Sequence, residues 1–145
     1  MTATKTHMRS EIEEIPQAVA RLLDGSAPSL IEAGRGIREL DPNFIVTVAR
    51  GSSDHAATFL KYAIELTAGL AVASIGPSVA SIYGAKLRLK GSACIAVSQS
   101  GKSPDIVAMA ESARQRGALT VALTNTADSP LARTCAYSID ILAGP

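Results

Sequence analysis

Apolar residues follow two rhythms along this chain, and the change from one to the other organises it. Across residues 8–23, Ile12, Ile15, Val19, Leu22 and Leu23 recur at helical spacing, with Glu11, Glu13 and Glu14 near the start, where a helix dipole favours acids. This predicts a first helix that Pro16 breaks or kinks. Ser26 offers an N-cap and Pro28 a first-turn position for a second helix, partly lined on one face by Leu30, Ile31, Ile37 and Leu40 and ended by Asp41-Pro42. From Phe44 onward the rhythm becomes short β-rich runs, each closed by small polar residues and followed by a helical stretch. Strands are predicted over 44–49, 71–75, 93–97, 119–123 and 137–142, and helices over 53–68, 77–87, 103–116 and 129–134. Continuous apolar strands joined by crossover helices need a parallel sheet covered on both faces. The expected fold is therefore α/β: a three-layer α/β/α sandwich on a five-stranded parallel sheet, flavodoxin-like, with strand order 2-1-3-4-5 as the prior.

Composition narrows the function classes. A chain of 145 residues buries about 70% of its unfolded surface and needs no disulfide or metal staple. Cys94 and Cys135 read as small apolar core residues. With no CxxC spacing and only His7 and His55 besides, no metal site is expected, and the usage fits a reducing, cytoplasmic setting. A net charge of +1 with scattered Lys and Arg gives no footprint for nucleic acid or an anionic membrane. Residues 63–83 are the most apolar, but Glu65, Gly69, Gly76 and Pro77 interrupt them, short of the roughly 18 uninterrupted residues a spanning helix needs. Residues 1–7 lack an apolar core and a cleavage site, so a frayed or vector-like start is expected there, not a signal peptide.

In open parallel sheets, ligands bind beyond the carboxyl ends of the strands, so the strand-to-helix junctions are where chemistry is sought. The first strand runs into Arg50-Gly51-Ser52-Ser53-Asp54-His55: a glycine and two hydroxyls at a helix start can hold a phosphate or form a capped turn. The third runs into Ser98-Gln99-Ser100-Gly101-Lys102-Ser103-Pro104-Asp105. Three hydroxyls, a glycine bend and the free amides of a helix start suit a dianion, with Gln99 free to select among sugar hydroxyls; the bland alternative is a solvated loop with Ser103 as cap. A third junction, Thr124-Asn125-Thr126-Ala127-Asp128-Ser129-Pro130, is better explained by Ser129 capping with Pro130 first in the helix. Neither GxGxxG after a strand nor GxxxxGK[ST] occurs, so no nucleotide cofactor is expected. His55 has no nucleophile or carboxylate placed beside it, and Cys94 sits in an apolar strand without a basic neighbour, so neither is assigned a catalytic role.

The two rich junctions together resemble the sugar isomerase (SIS) domain family, and within it the first half of the isomerase part of glucosamine-6-phosphate synthase, with its glutaminase-free deaminase relatives. Residues 8–16, Met8-Arg9-Ser10-Glu11-Ile12-Glu13-Glu14-Ile15-Pro16, are similar to the family's M-x-x-E-I-x-E-x-P opening. Arg50-Gly51-Ser52-Ser53 resembles its G-T-S phosphosugar turn, and residues 98–105 its S-Q-S-G-E-T-x-D loop. The resemblance implies that Ser98, Ser100 and Ser103, with Gly101, hold the phosphate of fructose 6-phosphate or glucosamine 6-phosphate, and that Gln99, Gly51, Ser52 and Ser53 lie toward the sugar. Lys102, Ser103 and Ser52 depart from the family's Glu, Thr and Thr: the hydroxyls survive and a cation is added. Where the chain stops at Pro145, the family continues into a second SIS domain that carries the catalytic groups. The resemblance thus implies a helical segment over 1–40 and a phosphosugar-binding domain over 41–145, the first half of an isomerase, aminotransferase or deaminase of amino-sugar metabolism, and a homodimer. The alternative is a non-catalytic domain that senses a phosphosugar for regulation, although nothing before Phe44 forms a helix-turn-helix or a basic face.

Overall fold

The computed structural model describes residues 6–144; residues 1–5, most of the segment expected to fray, lie outside them. Thr6 accepts a hydrogen bond from the Arg9 N–H (3.2 Å), so a helix cap opens the described chain. Helix α1 (His7–Gly25) runs through Pro16, so the proline does not break it. Proline removes one N–H, and on an exposed helix water can serve the carbonyl left without a donor. None of α1 is buried, and Met8, Ile12, Ile15, Val19 and Leu23 all face outward. Helix α2 (Ala27–Leu40) ends at Asp41 in the left-handed conformation (φ 48°). Its inner side is Ala33, Ile37 and Leu40, whereas Leu30 and Ile31, expected on that face, are exposed. Ser26 makes no capping bond: its hydroxyl donates instead to the Asp140 carbonyl oxygen at 2.5 Å, tying the α1–α2 corner to the last strand.

The alternating part follows as β1 (Phe44–Val48), α3 (Ser52–Ala68), β2 (Val72–Ser74), α4 (Ser78–Ser81), β3 (Ser92–Val97), α5 (Pro104–Gln115), β4 (Leu119–Thr124), α6 (Pro130–Thr134) and β5 (Tyr137–Asp140). All five strands are parallel in the order β2-β1-β3-β4-β5, with Val46 opposite Cys94 and Cys94 opposite Thr120. Alternate residues of the three central strands, β1, β3 and β4, enter different cores. Val46, Val48, Cys94, Ala96 and Ala122 pack under α5 and α6 with Ile106, Met109, Ala110, Ala113 and Leu131. Ile45, Ala93, Ile95, Val121 and Ile139 pack under α2 and α3. This is the expected three-layer sandwich, because a strand buried on both sides must be apolar throughout. One element is corrected. The helix predicted over 77–87 is a single turn, α4, because the Gly84 backbone turns left-handed (φ 60°) and the Ala85 N–H reaches back to the Val79 carbonyl. Ile82 and Tyr83 are left exposed beside it.

Candidate functional site

The strand order decides which junctions meet. From β1 the chain moves outward to β2 at the sheet edge, then returns past β1 to β3, so the direction of strand addition reverses between β1 and β3. At such a switch the two following helices depart to opposite faces and leave a crevice at the carboxyl edge. The turn after β1 and the loop after β3 leave neighbouring strands at that edge, with β1 and β3 paired in register from Phe44–Ser92 to Val48–Ala96. All eight sequence-predicted site residues lie on these two segments.

Gly51 is the N-cap of α3, at φ 58° and ψ −136°, a conformation that needs glycine. A Cβ built there meets nothing within 4 Å, so the turn is open. Ser52 and Ser53 are the first helical residues, not caps. The second segment is enclosed on its far side. The Gly101 N–H closes a turn onto the Ser98 carbonyl (3.1 Å), and Ser98 itself is buried. The Gln99 carbonyl accepts from Asn125 N–H (2.8 Å) and the Thr124 hydroxyl (3.2 Å), and the Gly101 carbonyl accepts from Leu131 N–H (3.0 Å). Gly101 has φ 61°, and a Cβ there would strike Ser129 and Thr124. The junction after β4, where Ser129 does cap α6 by accepting from Ala132 N–H (3.2 Å), is thus a brace for the serine-rich loop. Sequence reading found the cap and missed the brace: Thr124 and Asn125 carry no local sign of a partner 25 residues away.

Ser103 holds the N-cap position of α5, but its hydroxyl makes no capping bond, which leaves it available. The first helical bond is Val107 N–H to the Ser103 carbonyl (3.0 Å), and Pro104 has no N–H, so the amides of Asp105 and Ile106 are the orphan donors of the helix start. Ser100 Oγ accepts from the Lys102 N–H (3.3 Å), while the Lys102 side chain is exposed. Hydroxyls and free amides thus lie together at this helix start, beside the Asp105 carboxylate in its first turn. Gln99 is exposed and borders a cavity of about 380 Å3 that it shares with Glu11, Glu14 and Gly144. A larger cavity of about 700 Å3 opens between α1 and the segment after β5, beside Arg21 and Asp140, and does not touch the serine-rich loop. His55 is exposed on the first turn of α3. Burial pushes the Cys94 thiol up to about 12, with Cys135 adding to the rise. Burial likewise lifts Cys135 to about 11, against the lowering effects of a Thr120 hydrogen bond and of Arg114. Both thiols stay protonated and serve as core residues.

Residues 40–145 match the SIS domain family. The chain belongs to it. Among curated proteins it is 32% identical over 139 residues to the isomerizing glutamine–fructose-6-phosphate aminotransferase of Sulfurisphaera tokodaii, an alignment covering 95% of this chain and 23% of that protein. The chain therefore spans about a quarter of the length of such relatives. Among solved structures, a candidate phosphosugar isomerase from Silicibacter pomeroyi DSS-3 is 61% identical, with a TM-score of 0.94 over 97% of this chain and 43% of its own. The fold alone is shared with the Vibrio vulnificus NanR protein complexed with ManNAc-6P, at 21% identity and a TM-score of 0.70 over 92% of this chain and 52% of that one. Among the described residues no helix is long and apolar enough to cross a membrane, and no group of acidic, histidine or cysteine side chains could hold a metal ion.

Proposed function

We propose that this SIS domain binds a hexose 6-phosphate, fructose 6-phosphate or glucosamine 6-phosphate, as the phosphosugar-holding half of an isomerase, aminotransferase or deaminase of amino-sugar metabolism. One observation supports the reading: the serine-rich loop and the Gly51 turn leave paired neighbouring strands at the reversal of the sheet, and the Ser103 hydroxyl makes no capping bond. In this reading Ser98, Ser100 and Ser103 grip the phosphate with the amides at the start of α5, Gly101 permits the bend, and Gln99, Gly51, Ser52 and Ser53 face the sugar. The dianion gains from the helix dipole and from charge-assisted hydrogen bonds. The module's share of catalysis is positioning: with the phosphate fixed, the carbons that exchange protons are held in place. A base of near-neutral pKa must act on them, and we place that group outside these residues, in the remaining part of an aminotransferase-like polypeptide. The helices before β1 are then a lead-in to a binding module over 41–145, and the protein is cytoplasmic and dimeric.

Calorimetric titration with fructose 6-phosphate tests the assignment. Ser103→Ala removes no capping bond, and a lost charge-assisted hydrogen bond of about 1.5–3 kcal/mol weakens binding about 10- to 100-fold. Ser100→Ala behaves alike. Unaltered affinity in both variants removes the loop from the phosphate site, and a wild-type protein that binds no sugar phosphate removes the function.

A further inference from the structure

The two segments at the crevice are held very differently. The serine-rich loop is tied to the β4–α6 junction through Asn125, Thr124 and Leu131. Toward the Gly51 turn, among the described residues, one side-chain hydrogen bond joins them: Arg50 Nη1 donates to Asp105 Oδ2 at 2.7 Å. Arg50 is the residue just before Gly51, beyond the end of β1, and Asp105 lies in the first turn of α5, 55 positions along the chain. The other Asp105 oxygen, Oδ1, is buried with no donor, so the guanidinium alone anchors this carboxylate. The Asp105 side chain is 20% exposed and that of Arg50 62%: a half-buried acceptor fixed by its helix meets an arm from a turn in open space.

We propose that Arg50 and Asp105 are positioning residues, a clasp that holds the Gly51 turn at the distance from the serine-rich loop at which a single phosphosugar reaches both. The proposal rests on the phosphosugar reading above and adds to it a device that neither segment contains alone. An exposed ion pair contributes little to global stability. Its effect here is geometric: the β1–β3 pairing fixes the strand ends as far as Val48 and Ala96, and beyond them, in the hydrogen-bonding pattern of the described residues, the Arg50–Asp105 pair links the two walls. Pairing also masks the Asp105 carboxylate, which would otherwise repel a dianion arriving at the same helix start. A ligand that spans the crevice feels the clasp, and one that needs only the serine-rich loop does not.

That difference supplies the test. The whole protein is titrated calorimetrically with fructose 6-phosphate and separately with inorganic phosphate, in the wild type and in the Arg50→Met/Asp105→Asn double variant, which removes both charges and leaves the net charge unaltered. The expected result is a loss of roughly tenfold in fructose 6-phosphate affinity, within the range of coupling between residues in contact, with inorganic phosphate affinity retained. Arg50→Asp/Asp105→Arg, which exchanges the partners, recovers fructose 6-phosphate binding to within about threefold of the wild type. If the neutral pair melts early, the exchanged pair decides: recovery in a folded protein supports the clasp, and failure to recover overturns it. Wild-type fructose 6-phosphate affinity in the neutral pair, or an equal loss for both ligands, also overturns it. A wild-type protein that binds inorganic phosphate and fructose 6-phosphate equally well lacks the second wall and overturns the clasp alone, whereas one that binds neither overturns the phosphosugar reading and the clasp together.

Discussion

Replacing Gly101 by alanine probes the bend on which the candidate site is built. Two penalties add. The first is conformational: at φ 61° an L-residue pays for left-handed backbone, roughly 1–2 kcal/mol. The second is steric. The new Cβ would lie 2.5 Å from Ser129 Cβ and 2.7 Å from Thr124 Oγ1, and closer still to Ser129 Oγ. Both neighbours are fully buried, at 0% exposure, and cannot swing aside. Overpacking of this kind costs about 1–3 kcal/mol, so the sum is roughly 2–5 kcal/mol, a large part of the roughly 5–15 kcal/mol that holds a domain of this size. Gly69→Ala is the control: Gly69 caps α3 at φ 67°, with nothing within 4 Å of an added methyl, so only the conformational penalty applies. Urea unfolding of the two variants, compared at constant m, separates the contributions. Ser129→Ala in the Gly101→Ala background gives no full rescue, because the Ser129 Cβ itself is in the way. Equal losses at Gly101 and Gly69 would refute the claim that the β4–α6 junction buttresses the loop.

The thiols make two further tests. Because Cys94 and Cys135 are raised from about 9 to about 12 and 11 in the folded chain, their burial supports the fold fully below pH 9 and loses that contribution as pH rises toward 11–12. The loss is about 1.4 kcal/mol per pH unit for each thiol, and the decline between pH 9 and 10.5 should be shallower in Cys94→Ala than in the wild type; parallel curves would deny the coupling. Iodoacetamide at pH 8 should label neither residue faster than the protein unfolds, and rapid labelling of the native state would contradict their burial. Ser26→Ala deletes the bond to Asp140, leaves a part-buried carbonyl with one donor fewer, and should cost about 1–2 kcal/mol by thermal or urea unfolding; a change below about 0.3 kcal/mol, on the order of measurement error, would show that water replaces the hydroxyl.

What the chain states locally, it states well. The five β-rich runs, the helices between them and the composition of the two junctions are legible because strand burial, helix periodicity and turn chemistry depend on residues a few positions apart. The same local logic allowed a break at Pro16, where the exposed helix continues, and misjudged residues 77–87, whose helical pattern yields to the left-handed Gly84. It placed Ser26 correctly at the N-cap position of α2, but its hydroxyl serves a carbonyl more than a hundred residues away instead of the helix. The strand order matches the prior 2-1-3-4-5, but only tertiary structure could decide it, making β1 and β3 neighbours and bringing the two separate hydroxyl-bearing junctions to adjacent strand ends. Tertiary structure alone set Ser129 and Thr124 against Gly101 and brought Arg50 to Asp105. These are contacts between segments distant in sequence, and their partners are chosen by the order in which strands join the sheet, a property of the packed whole that no single window of residues encodes.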